Sequence, residues 1–163
     1  MKKSGVLAQA FGVPRTIKSN RMIAEIASRK AETLGAPVFT QKDILVKPGI
    51  NVTYCREKPG FPPPTLRICR EAVQWAQKNG IEEIWVVCAQ PHLWRVKRDL
   101  EYAIRETKVA ITVWICDEIF NHKEKDWYSP DSTQKRVRSR KDWIRREQIL
   151  MLLPMFIYKR VAS

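Results

Sequence analysis

Short apolar runs alternate along residues 1–116 with longer segments in which apolar residues recur every three or four positions. The apolar runs predict strands over 5–11, 36–40, 51–55, 83–89 and 109–116. The periodic segments predict amphipathic helices over 17–34, 64–79 and 92–106. This alternation indicates βαβ units, because two parallel strands need a crossover long enough to hold a helix.

Two of the predicted strands, 83–89 and 109–116, are nearly continuous apolar runs. Such runs suit parallel strands that helices cover on both faces. Thr112 interrupts the second run, which places that strand nearer the edge of the sheet. The pattern therefore predicts an α/β fold of three layers, with a mostly parallel sheet and flanking helices.

The periodic pattern stops after residue 116 and returns only near the end of the chain. Residues 117–141 form a polar, basic loop, and a C-terminal helix is predicted over 142–160, with Pro154 bending or ending it. The chain has 163 residues, which is enough for one domain with an ordinary core. We therefore expect a single α/β domain over 1–163, with its sheet in 5–116.

The chain is strongly basic. Its 30 Lys and Arg residues against 17 Asp and Glu residues give a formal net charge of +13. This surplus favours a small anionic ligand, nucleic acid or an anionic membrane surface as partner, although a solvated basic surface explains it equally well. A hydrophobic content of 44% argues against disorder.

Four cysteines, Cys55, Cys69, Cys88 and Cys116, show neither a Cys-x-x-Cys pair nor a zinc-ligand spacing with histidine. The sequence therefore specifies no metal and no cofactor. It also has no run that approaches the ~20 apolar residues of a membrane span. Together these features predict a cytoplasmic protein without a transmembrane segment.

The strand predicted over 83–89 ends abruptly where a helix carrying His92 and Arg95 begins. In open α/β sheets, ligands bind outside the carboxyl ends of the strands, where the next helix offers unpaired N–H groups to an anion. The two residues are three positions apart and share a helical face. We take them as candidate catalytic residues, His92 as proton carrier and Arg95 as stabiliser of negative charge. A structural, capping role for His92 is the alternative.

The first predicted strand leads into a segment rich in cations and hydroxyls. It lacks the Gly-x-Gly-x-x-Gly pattern, and the chain has no Walker lysine motif. Arg15, Ser19 and Arg21 are candidate ligand-binding residues, because side chains and helix N–H groups together can hold an anion. Ordinary capping of the helix by Thr16 or Ser19 is equally compatible with this segment.

A dense basic cluster near the C-terminus supports nucleic-acid binding as an alternative function. Trp127, Tyr128 and Trp143 would supply stacking surfaces for bases. The cations that would contact phosphates are Lys135, Arg136, Arg138, Arg140, Lys141, Arg145 and Arg146.

The last predicted helix offers a third interpretation. Leu152, Met155 and Phe156 lie beside Lys159 and Arg160, a combination typical of surfaces that dock on an acidic lipid face or on a partner. The ordinary interpretation is a helix that packs on the sheet. The apolar stretch over 149–158 is too short to span a bilayer.

Four short motifs stand in an order that resembles a bacterial domain-of-unknown-function family typified by the SanA, ElyC and YdcF proteins. They are Ser19-Asn20-Arg21-Met22, Pro64-Thr65, His92-Leu93-Trp94-Arg95 and Arg146-Glu147. The likeness covers most of residues 5–157. It implies a Rossmann-like α/β fold, adds Thr65 to the candidate ligand-binding residues, and suggests a nucleotide-type ligand and a link to the cell envelope.

The residues and the resemblance lead to one expectation. A nucleotide-like or phosphorylated anion is predicted to bind at the strand ends, next to His92 and Arg95. The sequence assigns no reaction.

Overall fold

Among the described residues, five parallel strands form the centre of the protein. The computed structural model describes residues 2–58 and 62–161. Its strands are Ser4–Ala8 (β1), Val38–Thr40 (β2), Val52–Tyr54 (β3), Glu83–Val87 (β4) and Thr112–Ile115 (β5). They are ordered β3-β2-β1-β4-β5, and every neighbouring pair is parallel. This is the strand order of Rossmann-like sheets, so the predicted fold class is confirmed.

Helices cover both faces of the sheet. The three that connect strands are Lys18–Leu34 (α1), Thr65–Lys78 (α2) and Leu93–Thr107 (α3). Successive strand residues point to opposite faces, so neighbours in β1 enter different cores. Val6 belongs to the same buried cluster as Ile23 of α1, whereas Leu7 belongs to the cluster that holds Val73 of α2 and Leu100 of α3. The result is the expected three layers.

The first strand is shorter than predicted because its last residues leave the sheet. The backbone N–H of Ala10 donates to the side chain of Gln41, and that of Phe11 donates to Asn20. Side chains therefore satisfy backbone groups that a longer strand would have paired with its neighbours. This departure opens space beyond the end of β1.

The segment after β5 is more ordered than the predicted polar loop. It contains short 3-10 helices over Asp117–Asn121, Glu124–Trp127 and Lys135–Val137. Ile119, Trp127 and Val137 are buried in the same core as α1. The segment thus packs along one face of the sheet and returns the chain to the carboxyl ends of the strands.

The C-terminal helix forms as two helices, Arg140–Leu152 (α4) and Met155–Val161 (α5), which Pro154 separates. Leu150 and Tyr158 pack against Leu66 at the start of α2. The Tyr158 hydroxyl also donates to Asp99 of α3, at 2.5 Å. These contacts fasten the α4–α5 pair over the N-terminal halves of α2 and α3. No helix in the described part of the chain is long and apolar enough to cross a bilayer.

Candidate functional site

A pocket lies where the order of the strands reverses. β2 lies on one side of β1 and β4 on the other, so the crevice between the carboxyl ends of β1 and β4 is the topological switch point of the sheet. A cavity of about 240 Å³ occupies this place. Gln9 and Gly12 follow β1 into its wall, and His92 follows β4.

Two further parts of the chain complete the pocket. The start of α2 contributes Pro64 and Thr65. The C-terminal segment closes the opposite side with polar and aromatic side chains, namely Arg136, Trp143, Arg146 and Tyr158. The site therefore joins residues that are far apart in sequence, as expected for a switch-point crevice.

His92 is buried against the pocket and contacts Thr65. Its Nε2 atom lies 3.1 Å from the Thr65 hydroxyl, while its Nδ1 atom has no hydrogen-bond partner among the described residues. Burial lowers the pKa of His92 well below the ordinary value, and the charges of Arg95, Arg136 and Arg146 lower it further. The imidazole is therefore neutral at neutral pH when no ligand is bound.

Arg95 is held in place by a buried carboxylate. Its Nε atom donates to Glu147 across 3.0 Å. No acceptor among the described residues engages its Nη1 and Nη2 atoms, although Arg95 lines the pocket. Burial raises the pKa of Glu147, against the opposing effect of Arg95. The pair thus fixes one edge of the guanidinium and leaves its other donors available to a ligand.

Arg136 and Arg146 bring two more positive charges to the same pocket. Neither forms an ion pair with a carboxylate in residues 2–58 or 62–161. Burial lowers the pKa of Arg136 to about 10, and the charges of Arg146 and Arg95 add to this effect. Three guanidinium groups therefore face the pocket, and none of the described residues that line it is a carboxylate, although Glu147 and Asp99 lie near Arg95.

The N-terminus of α2 adds a partial positive charge. Pro64 precedes the helix and offers no side-chain cap, so the first-turn N–H groups, which start at Thr65, have no acceptor within the helix. The helix dipole points its positive end towards the pocket wall that Pro64 and Thr65 form. Backbone and side chains therefore favour negative charge at the same place.

Comparisons with known proteins do not identify the chain. No protein-family model matches it, and no curated protein is significantly similar to it. The resemblance to the SanA, ElyC and YdcF family accordingly stays a hypothesis, and the pocket itself is the basis for inferring the function. Within the described residues, no group of three or more His, Cys, Asp or Glu side chains is placed to hold a metal ion.

The structure brings together three of the six predicted site residues: His92, Arg95 and Thr65 all line the pocket. Ser19 is buried elsewhere. Its hydroxyl donates to the carbonyl of Phe11 at 3.0 Å and lies 3.1 Å from the Ser129 hydroxyl, so it fastens the loop after β1.

Arg15 and Arg21 are exposed on a different surface. They line a separate groove of about 380 Å³ together with Leu45 and Lys47. The loop turns away from the pocket because Asn20 holds it: its Nδ2 atom donates to the carbonyl oxygens of Gly12 and Pro14. The geometry therefore does not support the expectation that Arg15 and Arg21 hold a ligand beside His92.

The aromatic residues proposed for base stacking are buried. Trp127, Tyr128 and Trp143 belong to the hydrophobic core, so none of them offers a ring face to a nucleic acid. Two of the basic residues have protein partners: Arg138 donates to the carbonyl of Ser132, and Arg140 pairs with Glu124. The nucleic-acid alternative stays a prediction that rests on charge alone.

Several residues of the pocket were not predicted from the sequence. Gln9 appears in the sequence only as an interruption of an apolar run, yet its Oε1 atom is buried at the pocket without a described partner. A polar residue directly after a buried strand was the available signal. The sequence shows Arg136 and Arg146 only as parts of a basic cluster. Spacing along the chain does not reveal that residues 117–137 fold back and bring this cluster to the pocket.

Proposed function

We propose that the protein binds a small phosphorylated ligand in the pocket at the switch point. The surplus of positive charge is the observation that carries this proposal. Arg95, Arg136 and Arg146 face a partly buried cavity with Glu147 as their counter-charge. Like charges in a poorly solvated site repel one another, and an anion with two negative charges relieves that repulsion.

A phosphate group matches the number of donors at the pocket better than a carboxylate does. Guanidinium groups form paired hydrogen bonds with phosphate oxygens, and the first turn of α2 adds backbone N–H groups. A phosphate monoester has three free oxygens and can accept from Arg95, Arg146 and the helix at once. A carboxylate, with two oxygens, leaves part of this set without an acceptor.

The size of the pocket limits the rest of the ligand. Its volume of about 240 Å³ lies below the roughly 300–1,000 Å³ of pockets for drug-sized ligands. This favours a small phosphorylated metabolite, or the phosphate-bearing part of a mononucleotide, over a dinucleotide. The lack of a Gly-x-Gly-x-x-Gly turn after β1 agrees with this choice.

Two residues give the pocket the means to do chemistry on such a ligand. The neutral His92 imidazole lines the pocket, and its Nε2 atom touches the Thr65 hydroxyl, so it can exchange a proton with that hydroxyl beside a bound phosphate. Arg95 can stabilise negative charge on a phosphate oxygen. The proposal assigns binding, and these roles are what His92 and Arg95 would bring to a reaction.

Isothermal titration calorimetry tests the proposal with inorganic phosphate, AMP and ribose 5-phosphate, each compared with its unphosphorylated parent where one exists. We expect the phosphorylated probes to bind and adenosine and ribose to bind much more weakly. The Arg136→Gln/Arg146→Gln variant should lose at least about tenfold in affinity, because two charge-assisted contacts are removed. Arg145→Gln is the matched control, since Arg145 precedes Arg146 but does not line the pocket.

Unchanged affinity in the double variant, or no heat and no thermal stabilisation with any phosphorylated probe, would overturn the proposal. Arg95→Ala is a poor test of binding because it leaves Glu147 buried without its partner and so weakens the fold itself.

A further inference from the structure

The outer surface of α4 and α5 carries several large apolar side chains in water. We name it the C-terminal apolar surface, and it consists of Ile149, Met151, Leu152, Phe156 and Ile157. Ile149 is 59% exposed, Leu152 is 84% exposed and Phe156 is 62% exposed. Contiguous apolar surface of this kind marks an interaction site in soluble domains.

This surface belongs to a firmly attached part of the fold. The opposite sides of the same helices bury Trp143, Leu150 and Tyr158. The carbonyl of Leu150 accepts from Arg98 of α3 at 3.3 Å, and the Tyr158 hydroxyl donates to Asp99. The apolar side chains therefore point outward from anchored helices.

Positive charge accompanies the exposed apolar residues. Lys141, Arg145, Ile149 and Leu152 follow one another at spacings of four, four and three positions, so they form one stripe along α4. Its first half is cationic and its second half is apolar. Lys159 and Arg160 lie in the last turn of α5 and extend the basic margin.

Basic side chains outnumber acidic ones in α4 and α5, by six to two. The two acidic residues of α4 are Asp142, whose carboxylate accepts a hydrogen bond from Ser139, and Glu147, which is buried against Arg95. α5 has no acidic residue. The outward charge of the C-terminal apolar surface is therefore positive.

Trp94 adds an aromatic side chain next to the same helices. Its ring is about half exposed, and the guanidinium of Arg98 lies 4.9 Å from it and 4.0 Å from the ring of Tyr158 in α5. Tryptophan is enriched where an apolar phase meets water, because its ring is apolar and its N–H is polar.

We infer that α4 and α5 dock on the surface of an anionic lipid bilayer, with the apolar side chains inserted between headgroups and the cations at headgroup level. Amphipathic helices with large apolar residues and a basic margin bind membranes in this way. Neither helix is long enough to span the bilayer, so the attachment is peripheral. This inference is independent of the proposed ligand.

The positive charge of the C-terminal apolar surface favours an anionic bilayer over a second copy of the chain as its partner. A symmetric dimer through this surface would bring the two sets of cations close together, where they repel. An anionic bilayer instead attracts Lys141, Arg145 and Arg160 while it accepts Leu152 and Phe156 in its apolar layer.

Co-sedimentation with vesicles tests the inference. We expect the protein to bind vesicles of phosphatidylcholine with phosphatidylglycerol, and not vesicles of phosphatidylcholine alone. Leu152→Ser/Phe156→Ser should lower the partition coefficient at least about tenfold, because two exposed apolar side chains are removed. Leu45→Ser/Phe120→Ser is the matched control, since it removes an exposed Leu and an exposed Phe elsewhere, and it should bind like the wild type.

Charge reversal gives a second test. Lys141→Glu/Arg145→Glu should abolish binding. Lys3→Glu/Lys78→Glu should retain most of it, because Lys3 precedes β1 and Lys78 ends α2, towards the amino ends of the strands. The native cysteines are all buried, so Leu152→Cys can be labelled selectively with a polarity-sensitive dye. Its emission should shift to the blue when phosphatidylglycerol vesicles are added.

Several results would overturn the inference. They are no binding of the wild type to either vesicle, equal binding to both vesicles, undiminished binding of Leu152→Ser/Phe156→Ser, and an unshifted dye. A wild type that is dimeric in light scattering, with a monomeric Leu152→Ser/Phe156→Ser variant and no vesicle binding, would assign the surface to a second copy instead.

Discussion

The guanidinium of Arg95 and the carboxylate of Glu147 lie 3.0 Å apart, with 7% and 9% of their side chains exposed, although 52 residues separate them in the chain. The contact ties the start of α3 to the middle of α4. It positions Arg95 for the pocket and fastens the C-terminal helices at the same time.

This pair predicts a non-additive effect on stability. Arg95→Ala and Glu147→Ala should each lower the free energy of unfolding by about 3–5 kcal/mol, because each leaves an unpaired buried charge. Arg95→Ala/Glu147→Ala should lose much less than the sum of the two single losses, since it leaves neither charge. Urea denaturation measures all three. Additive losses would show that the two side chains do not depend on each other.

The depressed pKa of His92 predicts a loss of stability in mild acid. The unfolded chain takes up a proton near the ordinary histidine value of about 6.5, whereas folded His92 does so only at lower pH. The stability that depends on neutral His92 is therefore complete above about pH 6.5 and falls as the pH drops below it, by up to about 1.4 kcal/mol per pH unit.

Comparison with His92→Gln isolates this effect in urea denaturation at several pH values. Burial raises the pKa of Glu147 and of Asp99, and these carboxyl groups titrate in both proteins, so they cancel in the difference. The wild type should lose more stability than the variant on acidification. If the free energy of unfolding depends on pH in the same way in the wild type and in His92→Gln, His92 does not have the lowered pKa that its surroundings require.

We expect His92 also to couple the binding of an anion to the uptake of a proton. An anion in the pocket raises the pKa of His92, so sulfate, whose own charge is constant in this range, should stabilise the wild type more at about pH 6 than at about pH 8. The His92→Gln variant should show no such increase. Thermal unfolding with and without sulfate at both pH values measures the difference, and equal stabilisation of the wild type at both would contradict the coupling.

The hydrogen bond from Tyr158 to Asp99 attaches α5 to α3, and we expect it to make its own contribution to the free energy of unfolding. Tyr158→Phe removes the donor to Asp99, a fully buried carboxylate, and should lower the free energy of unfolding by about 1–3 kcal/mol. Tyr54→Phe is the control, because Tyr54 is exposed on β3 and should change stability little. Equal effects of the two variants in urea denaturation would argue against the contact with Asp99.

The backbone conformation and the close neighbours of Gly12 predict that a residue with a Cβ atom is poorly tolerated at this wall of the pocket. Gly12 adopts φ +105°, and a Cβ atom there would lie 2.6 Å from Val137 and 2.8 Å from the Ser132 hydroxyl. Gly12→Ala should therefore cost roughly 2–5 kcal/mol of unfolding free energy, from backbone strain and overpacking together. Gly35→Ala, with φ +58° and open space around it, should cost only about 1 kcal/mol. Similar losses for both would show that the contacts of Gly12 do not matter.

The fold was predictable because its signals are local. Apolar runs marked the five strands, and Gly35 and Pro154 marked the ends of α1 and α4 as expected. The strand over 83–89 and the following His92 and Arg95 also predicted one wall of the pocket, since the carboxyl end of a parallel strand is where such sheets place polar groups.

The remaining walls depend on tertiary packing that no local pattern reveals. Arg15 and Arg21 follow a strand just as His92 does, yet Asn20 bonds to the loop backbone and turns them to another surface. Arg136 and Arg146 reach the pocket only because buried side chains such as Trp127 fold residues 117–137 against the sheet. Those contacts join distant segments, and spacing along the chain does not encode them.

The wall of the pocket that carries Arg136, Arg146 and Tyr158 is also synthesised after the five described strands. A nascent polypeptide that ends at residue 116 already holds all five strands, yet it has only the half of the pocket built by Gln9, Thr65 and His92. We therefore expect the ability to hold an anion to arise only after the residues of the sheet have been made, and to be absent from a polypeptide that stops at residue 116.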